Sequence, residues 1–460
     1  MKLTDKELQF IKENINTPAS TLSLSKKRPA CADFALCLKC IEGNQKMRKK
    51  VPLWATNLSL IYPYPLSLEQ CSSQTTAVFK ASIVSKLLNS SLPDKSSSFS
   101  AASATTTSSV ATVASSAVSA NTVDSFGSSA VLIADITGGM GVDSYFLSRV
   151  ANGMLYMERD EQLCVAAENN FPALGAENIT VRNATSTVET VEKEIKLFAC
   201  GFGRSKVNII YADPARRSKT GGKVIMLEDY EPDILSLNAK LLNLADYLLV
   251  KVSPMADIKM YLQKLSNVTE VYVVSVNNEC KELLFLMKAG SSTEPNDVPI
   301  TVVCLDSRQS FGEAGNATEF SFTYRQENNA GTLVTYLNAE DTPPKYLYEP
   351  DKALLKAAAF KTIGTIFGLK KIAPSTHLYC GDNVVNFPGK RFTIIEEYDF
   401  GKKAFKEIAE KYPAASVTAR NLPIDSNQLK KLLCVKESNN LHIFAFTDSN
   451  NRKKIYITYV

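Results

Sequence analysis

From residue 130 to residue 290 the chain alternates short apolar runs with stretches of helical period. The runs are AVLIADI (130–136), GMLYMER (153–159), NITVRNA (178–184), VNIIYAD (207–213), DYLLVKV (246–252) and EVYVVSV (270–276). They are largely apolar rather than alternating, the pattern of strands buried on both faces, and the helical stretches between them supply crossovers. This predicts a doubly wound α/β domain built on a parallel sheet. EVYVVSV and ELLFLMKA are separated only by NNECK, so an antiparallel hairpin closes that sheet.

The flanks read differently. DKELQFIKENI and SLEQCSSQTTAVFKASIVSKLL carry helical period, the second capped near Ser72 or Ser73, so residues 1–86 are expected to be a helical region. Residues 87–129 are dominated by Ser, Ala and Thr. With so few large side chains that segment cannot bury enough surface to offset its ordering entropy, and it is expected to be a disordered insertion. The α/β domain is assigned to 130–344. Beyond it, YLYEPDKALLKAAAFKTIGTIFG (346–368) reads as helix ending at Gly368, while RFTIIEEYDF, SVTARNLPI, LHIFAFT and KIYITYV read as strands. Helices and strands in that order suggest small α+β modules of ferredoxin-like type, assigned to 345–389 and 390–460.

Composition narrows this picture modestly. A chain of 460 residues exceeds one ordinary core. Its 52 Lys and Arg against 47 Asp and Glu neither demand nor exclude a nucleic-acid partner. Ten cysteines lack the spacing of a disulfide scaffold, MKLTDKELQF has no apolar signal core, and no run approaches the roughly 20 apolar residues of a membrane span. A reduced, cytoplasmic protein without a membrane segment is expected. Cys37 and Cys40 form a CxxC without a second ligand pair, which points to helix packing and to no metal. His377 and His442 have no triad-like companions and read as packing residues, as do Trp54 and Tyr62.

The candidate chemistry sits at the strand ends. Asp135 closes the first strand, and ITGGMGVDSYFL then places Thr137, Gly138, Gly139, Gly141 and Asp143 at the turn into a helix. Glycines let backbone approach a ligand closely, and a helix N-terminus offers free amides. Ser144 occupies the third glycine position of a dinucleotide fingerprint, so that spacing is incomplete. Glu158 ends the second strand, 23 residues after Asp135, where a carboxylate accepts ribose hydroxyls. Asn183 ends the third strand, where an adenine edge would lie, and Asp213 with Pro214 ends the fourth. There Asp213 can orient or deprotonate a nucleophile while Pro214 fixes the turn. Arg216 and Arg217, with Lys219 and Lys223, suit the phosphates of a polymeric substrate.

Glycine loop, ribose carboxylate, adenine turn and D-P motif in this order resemble the class I S-adenosylmethionine-dependent methyltransferases. More narrowly, LSLEQCSSQTTAVFKA, ADITGGMGVDS, YADPARR, LLVKVSPMADI, VNNECKELL, YLYEP and ARNLP are similar to a bacterial group of methyltransferases with a THUMP-like domain. The resemblance covers nearly the whole chain outside the Ser-rich segment. It implies a Rossmann-like methyltransferase domain, a ferredoxin-like module and a THUMP-like module, with S-adenosylmethionine as cofactor and structured RNA, rRNA or tRNA, as partner. Asp135, Thr137, Gly138, Gly139, Gly141, Asp143, Glu158, Asn183, Asp213 and Pro214 would hold the cofactor. Gln70, Ser72 and Ser73 would line the same pocket.

Three chemistries compete at the D-P-A-R-R site. Exocyclic-amine methyltransferases carry an aromatic after D-P-P, where this chain has Ala215 and Arg216. Uracil-C5 methyltransferases share D-P-A-R but need a cysteine one strand later, where VKVSP offers Ser253. Ribose 2′-O-methyltransferases of the Lys-Asp-Lys-Glu type are matched in part by Lys80, Asp213, Lys251 and Glu279 or Glu282. In that arrangement a central lysine flanked by acid and base deprotonates a hydroxyl. A binding protein that keeps the fold without turnover, and a methyltransferase for protein or small molecules, are the competing expectations.

Overall fold

The structure is a computed structural model that describes residues 2–24, 33–90, 130–216, 230–308, 317–338 and 340–459. Most of the expected insertion (91–129), Arg217, Lys219 and Lys223 lie outside the described residues. The chain divides into two compact units: Met1–Thr269 with Leu284–Ser292 and Ser307–Gly315, and Glu270–Leu283 with Thr293–Asp306 and Asn316–Val460.

The first unit opens with six helices: α1 (Asp5–Asn14), α2 (Ala19–Ser23), α3 (Phe34–Lys50), α4 (Pro52–Ala55), α5 (Pro65–Gln70) and α6 (Gln74–Ser90). Thr4 and Glu7 form a reciprocal capping box on α1. The helix expected to be capped near Ser72 or Ser73 starts there as α6, with Ser73 accepting from the Thr76 amide, and the residues before Cys71 form the separate short helix α5. Residues 87–90, expected in the insertion, continue α6. Cys37 and Cys40 are buried inside α3, and Trp54 packs edge-on to Tyr145 at 5.9 Å. One apolar cluster joins Met47, Trp54, Tyr62 and Ala77 to Met140, Phe146, Tyr156 and Phe171.

The α/β part follows as β1 (Leu132–Asp135), α7 (Val142–Ser148), β2 (Gly153–Glu158), α8 (Glu161–Ala173), β3 (Ile179–Asn183), α9 (Val188–Cys200), β4 (Val207–Ala212), β5 (Ala215–Arg216), β6 (Tyr230–Glu231), α10 (Ile234–Leu244), β7 (Ala245–Val252) and α11 (Ile258–Lys264). β8 (Val268–Val276) and β9 (Glu279–Lys288) lend their ends Val268–Thr269 and Leu284–Lys288 to this unit. The strand order is β3-β2-β1-β4-β7-β9-β8. β1 pairs in parallel with both β2 and β4, and β3 and β7 continue in parallel outward. Chain order reverses at β1, and a crevice opens beyond the carboxyl ends of strands at such a switch point.

In the second unit Asn277 and Asn278, both with positive φ (52° and 62°), form a two-residue turn between β8 and β9. The turn is thus tighter than the NNECK connection expected, since asparagine tolerates the left-handed backbone. β10 (Ile300–Leu305) runs parallel to β8, and β11 (Thr318–Phe322) antiparallel to β10. Next come α12 (Tyr324–Asn329), β12 (Tyr346–Pro350), α13 (Lys352–Ala357), α14 (Thr362–Phe367), β13 (Lys370–Ala373), β14 (Thr376–Gly381), β15 (Gly389–Asp399), α15 (Lys402–Lys411), β16 (Ser416–Arg420), α16 (Ser426–Leu433), β17 (Leu441–Thr447) and β18 (Lys453–Tyr459). The expected helix over 346–368 is corrected at its start. YLYEP is strand β12, paired on both sides, and Asp351 caps the helix that follows. A seven-stranded sheet runs β13-β14-β12-β15-β18-β17-β16. β15 joins its halves: residues 389–393 pair with β12 and residues 393–399 with β18. His377 stacks on Phe360 at 4.0 Å and His442 on Phe444 at 4.2 Å.

That junction is tight at Gly389, where an added Cβ would lie 2.2 Å from the Glu349 carbonyl oxygen and 2.9 Å from the Asp351 amide. Gly389→Ala is therefore expected to destabilise the chain by about 1–3 kcal/mol, the usual cost of overpacking. Urea unfolding checks this; an unchanged midpoint would mean that β12 and β15 part without cost.

Candidate active site

The loop after β1 is braced from within. Asp135 Oδ1 accepts from the Thr137 amide (2.9 Å) and hydroxyl (3.2 Å), and Oδ2 accepts from the Ser144 hydroxyl (2.5 Å). Burial pushes the Asp135 carboxyl up to about 7 against the lowering effect of those donors. Its oxygens thus hold the loop to helix α7. Gly138 cannot carry a side chain, because a Cβ would meet the Tyr156 ring at 2.3 Å. Gly139 has open space around a Cβ but a φ of +54°, so there the backbone conformation is what requires glycine. Tyr156 donates to the Gly139 carbonyl at 2.6 Å.

Glu158, at the end of β2, accepts from the Gly139 amide (2.8 Å) and from the Asp160 amide (2.9 Å). A carboxylate oxygen accepts more than one bond, so both retain capacity for hydroxyl donors. Asn183 donates to the carbonyls of Glu158 (3.0 Å) and Arg159 (3.1 Å), which ties the end of β3 to the end of β2.

Beside this crevice lies a linked set of charges. Lys251, on β7, donates to Asp213 Oδ2 at 2.6 Å. The Asp213 amide in turn donates to the Thr137 hydroxyl at 2.6 Å, fixing the D-P turn to the glycine loop. Behind them Lys80, on α6, is fully buried and pairs with Asp143 Oδ1 at 3.2 Å. Asp143 Oδ2 accepts from the hydroxyls of Ser72 (2.7 Å) and Tyr211 (2.8 Å). Ser72 also receives Lys80 at 3.1 Å and Lys251 at 3.4 Å. Burial raises the Asp143 carboxyl, and Lys80, Lys251 and the two hydroxyls more than reverse that, so its net shift is downward.

The structure thus gathers Asp135, Thr137, Gly138, Gly139, Gly141, Asp143, Glu158, Asn183, Asp213, Lys251 and Lys80 within one unit. Glu279 belongs to the other unit, where its exposed side chain pairs with Lys281. Arg216 contributes backbone to β5; Arg217 is outside the described residues. Ser144 and Tyr211 escaped the sequence reading. Ser144 carried a signal, since it replaces the fingerprint glycine with a donor facing Asp135. Tyr211 gave none, being one apolar-run aromatic among several.

Residues 346–388 match a family model for a ferredoxin-like domain, and residues 389–459 one for a THUMP domain-like module. The crystal structure of a "putative methyltransferase" from Porphyromonas gingivalis W83 is similar over 99% of both chains, at 28% identity and a TM-score of 0.77. The protein is therefore a mixed α/β protein of that methyltransferase-like architecture, with N-terminal helices and C-terminal ferredoxin-like and THUMP-like domains. An rRNA methylase from Streptococcus thermophilus overlaps 35% of this chain and 87% of its own at 17% identity (TM-score 0.25). A Streptococcus mutans structure in complex with SAH overlaps 34% and 88% at 15% (TM-score 0.26). Those two likenesses are too slight to bear an argument. No curated protein matches the sequence.

Two outcomes follow from the site. A carboxyl held near 7 in the fold and near 4 unfolded contributes stability that is complete below about pH 4 and lost as pH rises through about 7. Asp135→Asn is expected to unfold at a higher temperature than wild type at pH 8, with the gap shrinking toward pH 4; a gap independent of pH would refute the shift. Lys80→Met leaves Asp143 buried without its cation and is expected to cost about 3–5 kcal/mol, whereas Lys80→Met with Asp143→Leu recovers most of it. Denaturant midpoints of the three proteins measure both.

Proposed function

We propose that the protein is an S-adenosylmethionine-dependent methyltransferase acting on structured RNA. The observation that carries this reading is the Lys251–Asp213 pair, 2.6 Å apart at the carboxyl ends of β7 and β4, next to the crevice at the β1 switch point. The donor fits the residues present: Glu158 retains acceptor capacity for ribose hydroxyls, and the Gly138–Gly139 backbone lies bare of side chains beside it. Asn183 borders the same strand ends. When bound, S-adenosylmethionine supplies an electrophilic methyl group.

The chain's own part is to hold the acceptor. Asp213, roughly a third exposed, accepts a hydrogen bond from the incoming nucleophile and turns its lone pair toward the crevice. Lys251 holds the carboxylate in place by donating to Oδ2. With Oδ2 already occupied by Lys251, Asp213 is placed to orient the acceptor, an arrangement that suits an amine or ring nitrogen, which attacks before losing its proton, better than a ribose hydroxyl. A polyanionic partner is supported by charge: residues 346–459 hold 18 Lys and Arg against 11 Asp and Glu, a net +7 where the whole chain is +5.

Asp213→Ala is expected to lower methyl transfer to unmodified cellular RNA by about 100-fold or more while leaving S-adenosylmethionine binding within a few-fold. Tritium transfer, calorimetry and nucleoside mass spectrometry test this. Absence of donor binding by the wild type would defeat the proposal, and label in a ribose oxygen would defeat the choice of nitrogen.

A further inference from the structure

We infer that Ser72 is a positioning residue of the acceptor site, setting Lys251 against Asp213, and that the buried Lys80–Asp143 pair fixes the direction of its hydroxyl. The inference extends the acceptor reading above and concerns how that site is held.

Ser72 sits in the Cys71–Ser73 break between α5 and α6, far in sequence from the strands it serves. A serine hydroxyl has one proton to give. Here it goes to Asp143 Oδ2 at 2.7 Å, an oxygen that Tyr211 also holds at 2.8 Å. With its proton committed inward, the Ser72 oxygen presents lone pairs to the two ammonium groups, Lys80 at 3.1 Å and Lys251 at 3.4 Å. The Lys251 contact is long for a hydrogen bond, so it acts as electrostatic steering toward an oriented oxygen. On its other side Lys251 meets Asp213 Oδ2 at 2.6 Å, so the ammonium is clasped between a fixed hydroxyl and the D-P carboxylate.

Lys80 has no exposed surface and cannot touch a substrate. Its charge balances Asp143, and Asp143 in turn fixes the direction of the Ser72 proton. The four-residue Lys-Asp-Lys-Glu arrangement therefore resolves into a part-buried Asp213–Lys251 dyad, a Ser72 support and a buried counter-pair, with Glu279 elsewhere.

The test needs neither donor nor RNA. The full chain is acylated with an N-hydroxysuccinimide ester, and modification of Lys251 is followed by peptide mass spectrometry against exposed Lys193 in wild type, Ser72→Ala, Ser72→Thr and Tyr211→Phe. Losing an acceptor destabilises the ammonium form and frees the amine. Ser72→Ala is therefore expected to speed Lys251 labelling about two- to tenfold, the worth of one hydrogen bond, and Ser72→Thr to restore it. Tyr211→Phe removes a donor to Asp143 and leaves the Ser72 acceptor in place, so it is expected to label Lys251 no faster than wild type. Equal labelling in Ser72→Ala and wild type, with unchanged circular dichroism, overturns the inference, and so does failure of the threonine to restore it. If Ser72→Ala does not fold, Ser72→Gly, which also lacks the hydroxyl, decides by the same criterion. Methyl transfer is read separately. An active wild type with unmoved labelling refutes the positioning role alone, and an inactive wild type with shifted labelling refutes the methyltransferase reading alone.

Discussion

The first unit is organised around a lysine that no water reaches. Lys80 brings a positive charge into the interface between α6 and α7, and such a charge persists there only if it is paired and hydrogen-bonded. Asp143 pairs it through Oδ1, Ser72 and Tyr211 donate to Oδ2, and those partners come from α7, the α5–α6 break and β4. Buried ion pairs add little net stability compared with a well-packed apolar substitute. What this one supplies is registry: slide α6 by one residue and two charges are stranded. The N-terminal helices are locked to the sheet by a polar constraint laid over the apolar cluster of Trp54, Tyr145 and Phe146.

The glycine loop obeys a parallel logic with opposite materials. Tyr156 and Phe171 press so closely on Gly138 and Gly141 that any side chain there would collide with a ring. The backbone is thereby kept bare at the switch point. Asp135 spends its oxygens on Thr137 and Ser144, and Thr137 passes the constraint on by accepting the Asp213 amide. Loop, D-P turn and helix α7 therefore move as one piece. A residue that sequence logic assigns to the cofactor is here occupied in shaping the loop, and Glu158 is the carboxylate that faces outward.

How far the sequence foretold this varied with the range of the interaction. Apart from the edge strand β3, the strands of the α/β region were legible because burial on both faces writes itself as apolar runs, and the glycine turn was legible because backbone constraints are local. β12 was not: YLYEP precedes a helical stretch, and its strand state depends on β14 and β15, which come later in the chain. The burial of Lys80 was equally hidden. A lysine on an amphipathic helix ordinarily faces water, and its counter-charge lies 63 positions away, across the Ser-rich segment. Ser72 was noticed as a pocket residue, but that its hydroxyl faces two lysines is a fact of three dimensions.

Exposure along the charge set runs in one direction. Side-chain accessibility rises from 0% at Lys80 through 10% at Asp143 and 14% at Lys251 to 36% at Asp213. Two cations and two anions leave the set neutral, so no net charge is carried inward and the two outer members are free to respond to a ligand. The inner members are held by low dielectric, their ion pair and the two hydroxyls on Asp143 Oδ2, where displacement is costly. The outer pair is wet enough for its geometry to yield. A ligand that approaches Asp213 therefore meets a carboxylate whose lysine partner is backed by a buried, hydrogen-bonded set of side chains.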